Sequence, residues 1–354
     1  MAVVHYSTIG SSQMDDGSRH PVRGEGMNSR ETVRRAIDFN KPQRLPFWQH
    51  QMEDIPDDVC DCWEMDRAKR GWFFDNAAED DWGCGWDATE VKNMGQVVYH
   101  PLEDWVKLES YLPPDPTDAF YFERLEEEMS EAGDRYIAVT SHFNLIERLH
   151  MLHGFSRTLE DFYLEPEKIE RVLDMILEFK LGLFDELHRR FGDRVDGVFL
   201  TDDWGTQENT FISSDMFEHF FQERYRQLVN AVHAHGWHFL LHSCGRVNDF
   251  VQHFIDLEMD VLNMQQPRTY GIEEIGGQFA GKVCFLTTAD IQATLPSGDQ
   301  ERIRAEVREL VENWSTPDGG FIVFNYGSPE SLGLEEGVTE AMFYEFAGLM
   351  SRWN

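Results

Sequence analysis

His242-Ser243-Cys244 sets an imidazole and a thiol two residues apart. In an extended segment such positions point to the same side, so the pair can grip one cation. Imidazole with thiolate suits zinc, which takes nitrogen and sulfur ligands at about 2.0 to 2.3 Å. A buried thiol packing as a small hydrophobe beside a hydrogen-bonded histidine has the same spacing, so both readings stay open. Asp202-Asp203 is the second reactive pair. Adjacent carboxylates in one pocket repel each other, which raises one pKa and suits general acid–base work. A helix cap or a loop salt bridge accounts for the pair equally well. Gln207 and Asn209 follow closely enough to orient these acids by hydrogen bonds. Asp80-Asp81-Trp82-Gly83-Cys84-Gly85-Trp86 mixes acids, glycines and aromatics. Trp82 and Trp86 there either cage an apolar or cationic group or pack as the core of a loop. Cys60-Asp61-Cys62 is too closely spaced for the usual zinc-knuckle pattern and reads as two ordinary thiols.

The elements that must position these residues follow a strand–helix rhythm. Strands read at 45–48, 136–141, 197–201, 238–242, 261–263, 283–287 and 320–325. Helical segments read at 120–132, 144–151, 166–191, 214–235, 247–257, 300–314 and 336–352. Strands alternating with long helices mean βα units and a parallel sheet. No Gly-x-Gly-x-x-Gly follows any strand, which favours a closed (β/α)8 TIM barrel over an open dinucleotide-binding sheet. In such a barrel the reactive groups lie at the C-terminal ends of the strands. That rule brings Glu147, Asp202, Asp203, Gln207, His242, Cys244, Gln265 and Tyr326 to one rim, with Trp204 beside the acids.

Residues 50 to about 125 are irregular and rich in Asp, Trp and Cys, with a strand at 96–100 that suits a hairpin beside the barrel. We expect this region to form a lid. Residues 1–28 are polar and without periodicity, the pattern of a mobile tail. Asn28-Ser29 offers cap residues for a short amphipathic helix that Lys41-Pro42 ends. The barrel domain is then expected to span 29–354.

Thirty-one Lys and Arg face 65 Asp and Glu, a net charge of -34. Such a field repels polyanions and argues against nucleic acid and anionic membrane surfaces as partners. It serves solubility, or a cationic or neutral small-molecule substrate. The five cysteines, Cys60, Cys62, Cys84, Cys244 and Cys284, are odd in number and sparse, unlike a disulfide framework. The N-terminus lacks an apolar signal-peptide core, and no run of 18 apolar residues occurs. The expected location is the cytoplasm.

Several segments together resemble the uroporphyrinogen decarboxylase (URO-D) superfamily. They are Arg30-Glu31-Thr32-Val33-Arg34-Arg35-Ala36-Ile37, Lys41-Pro42-Gln43-Arg44-Leu45-Pro46, Asp202-Asp203-Trp204-Gly205-Thr206-Gln207, His242-Ser243-Cys244-Gly245, Asp260-Val261-Leu262-Asn263 and Gly319-Gly320-Phe321-Ile322. The resemblance covers roughly residues 30 to 350 and implies the barrel fold. It also implies one of two chemistries: cofactor-free decarboxylation of a porphyrinogen, or zinc-dependent methyl transfer to or from a corrinoid or a thiol. The decarboxylases carry arginines after the first strand that hold substrate carboxylates. Here that place reads Phe47-Trp48-Gln49-His50-Gln51, with no arginine between Arg44 and Arg67. They also use a histidine near the C-terminus, whereas His253 is the last one here.

The methyltransferases bind zinc through His-x-Cys and a later cysteine. His242 and Cys244 match the first two ligands; the third position reads Phe324-Asn325-Tyr326-Gly327-Ser328, and Cys284 is the last cysteine. A carboxylate, Asp203, Asp202 or Glu147, is then the expected third ligand if metal is bound. Glu147, in Leu145-Ile146-Glu147-Arg148, resembles a recurring glutamate of that branch. The resemblance thus implies zinc-dependent methyl transfer from a small methylated donor to a thiol or to a corrinoid on a separate protein, since no cobalamin-binding domain is evident. Asp203 or Glu147 would complete the coordination or protonate the leaving group, and Trp82, Trp86 and Trp204 would line a donor pocket. Homodimers are usual in the superfamily. The alternatives are a cofactor-free decarboxylase or lyase, with Asp203 as proton donor, and a non-catalytic ligand-binding barrel.

Overall fold

The computed structural model describes residues 27–50, 52–65, 79–87, 95–326, 332–335 and 337–350. Most of the expected N-terminal tail, Gly327 and Ser328, and the last residues of the final helix lie outside them. The strands are β1 (Phe47–Trp48), β2 (Val59–Met65), β3 (Gly85–Asp87), β4 (Gln96–Tyr99), β5 (Tyr136–Ser141), β6 (Gly197–Thr201), β7 (His238–His242), β8 (Val261–Asn263), β9 (Cys284–Thr287) and β10 (Phe321–Phe324).

Eight of these pair in parallel in the order β1-β10-β9-β8-β7-β6-β5-β2. Their near-continuous apolar runs reflect burial on both faces. Asp58 closes the seam between β1 and β2. Its N–H donates to the Phe47 carbonyl at 2.7 Å, and its carboxylate accepts the Phe47 N–H at 2.9 Å and the Arg44 guanidinium. The result is the (β/α)8 barrel. Trp48, Val59, Ala138, Phe199, Leu240 and Leu286 pack together in its interior. Helix Ser29–Ile37, capped by the Asn28 side chain, plugs the N-terminal end with Val33, Ala36 and Ile37. Arg30 and Arg34 tie it to buried Asp196, each at 2.7 Å.

The structure departs from the sequence expectations at several elements, the expected helix over 120–132 among them, which is a 3-10 turn Ala119–Phe122 followed by a short helix Leu125–Ser130. β2 lies inside the stretch read as irregular, because Asp61 interrupts its apolar residues and a register shift between Cys62 and Met65 breaks the alternation. The segment read as one helix over 214–235 is three pieces, Ser214–Phe217, a wide π turn Glu218–Gln222, and Glu223–Ala234. The wide turn lets Phe217, Phe220, Phe221 and Tyr225 all reach the core. Helices Phe155–Leu164 and Ile272–Phe279 were not expected from the sequence.

The strand at 96–99 does form a hairpin, antiparallel to β3. Asp80, just before β3, anchors the hairpin to the barrel through a buried ion pair with Arg148 at 2.8 Å. Asp80 also accepts the N–H groups of Trp82 and Cys84 and the Trp86 indole. The Arg148 guanidinium lies against the rings of Trp82 and Phe143. Among the described residues no helix is long and apolar enough to cross a membrane.

Candidate metal centre

Strand register levels the tips of the barrel. Thr201 pairs with His242, His242 with Asn263, and Asn263 with Leu286. The loops after β6 and β7 then meet backbone to backbone. Gly245 has φ +81, and a Cβ there would fall 2.0 Å from the Gly205 carbonyl oxygen; a Cβ on Gly205 would fall 2.8 Å from the Arg246 nitrogen. Only glycine permits this approach at both positions. It brings the Cys244 N–H to Asp203 Oδ1 at 2.7 Å and the Trp204 N–H to Ser243 Oγ at 3.1 Å.

Asp203, His242 and Cys244 each present one ligand atom, and the three lie within 4.8 Å of one another. His242 Nε2 is 3.3 Å from Cys244 Sγ and 3.6 Å from Asp203 Oδ1. Zinc–ligand bonds of about 2.0 to 2.3 Å set the edges of a coordination tetrahedron at about 3.3 to 3.8 Å. Both separations fall in that range, so the donor set fits a tetrahedral site with one position left over.

The hydrogen bonds behind His242 fix its tautomer. The Leu286 carbonyl only accepts, so Asn263 turns its amide nitrogen there, at 2.9 Å. Asn263 Oδ1 must then accept, from Gln265 Nε2 at 2.7 Å and from His242 Nδ1 at 2.7 Å. Nδ1 therefore carries the proton, and the Nε2 lone pair faces Cys244 and Asp203. This is the arrangement a metal-ligating imidazole requires. Burial and the nearby Asp203 and Glu147 carboxylates push the Cys244 thiol well above its ordinary pKa.

The two adjacent aspartates part company. Asp202 is fully buried and accepts the backbone N–H groups of Ile146 and Glu147, at 3.2 and 2.8 Å, and the Tyr225 hydroxyl. It thereby caps helix Leu145–His153, whose own N-cap residue Asn144 supplies no side-chain bond. Burial pushes Asp202 up to about 7. Glu147 opens that helix and is also buried. Its Oε2 accepts the Thr201 hydroxyl at 2.8 Å, and Oε1 takes no hydrogen bond from the described residues. Burial, then Asp203 and Asp202, raise it well above the usual carboxylate range.

The other residues expected at the rim are scattered. Gln265 is buried behind His242. Gln207 is exposed and bonds Gln266 and Thr269. Tyr326 is half-buried after β10. Trp204 is 0% exposed, packed among Phe217, Phe221 and Phe250 with its indole N–H on Tyr225, so it is core rather than pocket wall. Trp82 is likewise buried, against Phe179 and Arg148. Trp86 is half-buried and lines a cleft. The sequence reading missed Asn263, whose signal was an amide ending an otherwise apolar strand.

The profile of the family described as Uroporphyrinogen decarboxylase (URO-D) matches residues 125–330, more than half of the chain. No curated protein matches significantly. Among solved structures the fold is similar to that of a methyltransferase from Methanosarcina mazei, with TM-score 0.58 and 15% identity over 76% of each chain. A D-psicose 3-epimerase aligns with TM-score 0.36 and 8% identity, over 82% of this chain and 97% of its own. The profile match spans the strand tips that carry Glu147, Asp203, His242 and Cys244, and the chain belongs to the uroporphyrinogen decarboxylase family.

Proposed function

We propose that the protein is a zinc-dependent methyltransferase. It would move a methyl group from a small methylated donor to a thiol, or to a corrinoid carried by a separate protein. The observation that carries this reading is the convergence of His242 Nε2, Cys244 Sγ and Asp203 Oδ1 within 4.8 Å. Asp203 supplies the third donor in a chain whose last cysteine is Cys284. The fold shared with the Methanosarcina methyltransferase supports it.

Bound there, zinc supplies Lewis acidity that polarises a methyl-bearing heteroatom or holds a thiol as thiolate. The chain's own residues do the rest. Loading the site requires Cys244 to give up its proton, after which its thiolate and the Asp203 carboxylate balance the two positive charges. Asn263 and Gln265 hold the His242 ring in place. Glu147, whose pKa burial raises, accepts the Thr201 hydroxyl on Oε2 and has Oε1 available to carry a proton. From there it can protonate the leaving heteroatom.

Elemental analysis should find about one zinc per chain, lost in His242→Ala, Cys244→Ser and Asp203→Ala. A folded wild type that takes up no zinc on titration would overturn the proposal. Turnover that survives strong chelators would point instead to a cofactor-free lyase.

A further inference from the structure

A cleft of about 350 Å³ separates the β3–β4 hairpin from helix Leu145–His153, walled by Trp86, Val97, His100, His150, Met151 and Phe155. Its size suits a small organic molecule. We infer that this cleft binds the non-reacting part of the substrate, a flat uncharged ring that carries an N–H donor. The assignment rests on the methyl-transfer reading only for the word substrate; the binding chemistry stands on the cleft itself.

Position ties the cleft to the acid of the centre. Glu147, His150 and Met151 are spaced i, i+3 and i+4 and share one helix face. The two cleft residues of this helix therefore sit about one turn along it from Glu147. Trp86 lies 5.8 Å, centroid to centroid, from Phe143. Phe143 sits in left-handed backbone, φ 52, with its N–H on the same Thr201 hydroxyl that bonds Glu147.

The lining selects the ligand. No lining residue is an acid, a lysine or an arginine, and burial drives His150 down to about 4, which leaves its ring neutral. A charged group of either sign would lose its hydration there without a counter-ion. His150 meets Phe155 edge to face at 5.6 Å, and its ring makes no hydrogen bond among the described residues. His100 Nδ1 donates to the Met151 carbonyl at 2.7 Å, so in the neutral ring Nε2 is an acceptor, and it has no partner among the described residues. Aromatic walls and an unmet acceptor call for a planar ring with a donor. Gly154, with φ +95, lets His100 lie close: a Cβ there would come within 3.4 Å of its ring.

The test uses the full chain and three probes: indole, 1-methylindole and indole-3-carboxylate, followed by calorimetry and ligand-observed NMR. Indole should bind, 1-methylindole about tenfold more weakly for want of the hydrogen bond, and the carboxylate not detectably. Val97→Trp, which fills the cleft from a half-buried strand position, should abolish indole binding. His100→Phe should erase the preference for indole over 1-methylindole. Circular dichroism and zinc content, measured on each variant, should stay at wild-type values. Absence of indole binding, equal binding of the two neutral probes, or full binding by Val97→Trp would each overturn the inference. Zinc uptake without probe binding refutes the cleft alone; probe binding without zinc uptake refutes the metal-dependent reading and leaves the cleft standing.

Discussion

Replacing Asn263 with leucine, close to it in volume, removes the acceptor that holds the proton on His242 Nδ1. Asn263 makes three buried hydrogen bonds, to His242, Gln265 and the Leu286 carbonyl, at 2.7, 2.7 and 2.9 Å. The Leu286 carbonyl keeps a partner, because it also accepts the Met264 N–H at 3.1 Å. The imidazole N–H loses its acceptor, while the Gln265 amide keeps its 3.4 Å contact with His242 Nδ1 and can donate there once that nitrogen has given up its proton. A buried donor left unmet costs about 1–3 kcal/mol, so the variant should lose about that much stability while still folding. The imidazole is then free to turn or to move its proton to Nε2. Loss of such a partner typically weakens metal binding about 10- to 100-fold. Asn263→Asp is the control. Its carboxylate still accepts from Nδ1 but sets its other oxygen against the Leu286 carbonyl, so it loses stability while its zinc affinity should stay within about threefold of wild type, a margin smaller than the loss expected of the leucine variant. Competition with a fluorescent zinc chelator at fixed pH reads both. A leucine variant that binds zinc as tightly as wild type would falsify the argument that this bond sets the tautomer.

Three further outcomes follow from the same geometry. Gly245→Ala meets both a left-handed φ of +81 and a carbonyl oxygen 2.0 Å from the new Cβ; chemical denaturation should show a loss of at least about 3 kcal/mol, together with loss of zinc, since the loops that bring Asp203 to Cys244 cannot close. Arg148→Met leaves Asp80 buried without its ion-pair partner; a destabilisation of about 3–5 kcal/mol is expected, with faster proteolysis in the 79–100 segment than in the barrel. His150 is held near 4 against 6.5 when unfolded, so the unfolded chain binds more protons between those values. Stability linked to this group is complete above pH 6.5 and falls as the pH drops towards 4, by about 2–3 kcal/mol; subtracting the denaturation profile of His150→Phe should isolate that slope, and parallel profiles would refute it.

Much of the barrel was legible because its signals are local. β6, β7 and β9 are apolar runs bounded by turn residues, and long helices such as Pro166–Phe191 repeat their apolar residues at helical spacing. The rule that chemistry gathers at the C-terminal strand ends turned that rhythm into a candidate site. β2 escaped because its polar Asp61 and its register shift leave no clean pattern in the chain itself. Trp204 was read as a pocket wall because it follows two acids in sequence; only the packing of Phe217, Phe221 and Phe250 around it made it core.

The sequence by itself determined that an imidazole and a thiol, two residues apart at a strand tip, stand near a pair of carboxylates. Which carboxylate joins them was a tertiary decision. Asp202 is drawn to the unpaired N–H groups of a helix that Asn144 does not cap, while Asp203 turns to Cys244 because Gly205 and Gly245 let two loops touch. The orientation of His242 likewise depends on Asn263, one strand away in the barrel. Periodicity is written along the chain, residue by residue. The direction of a side chain beyond a strand end is set by whichever distant backbone needs its hydrogen bond.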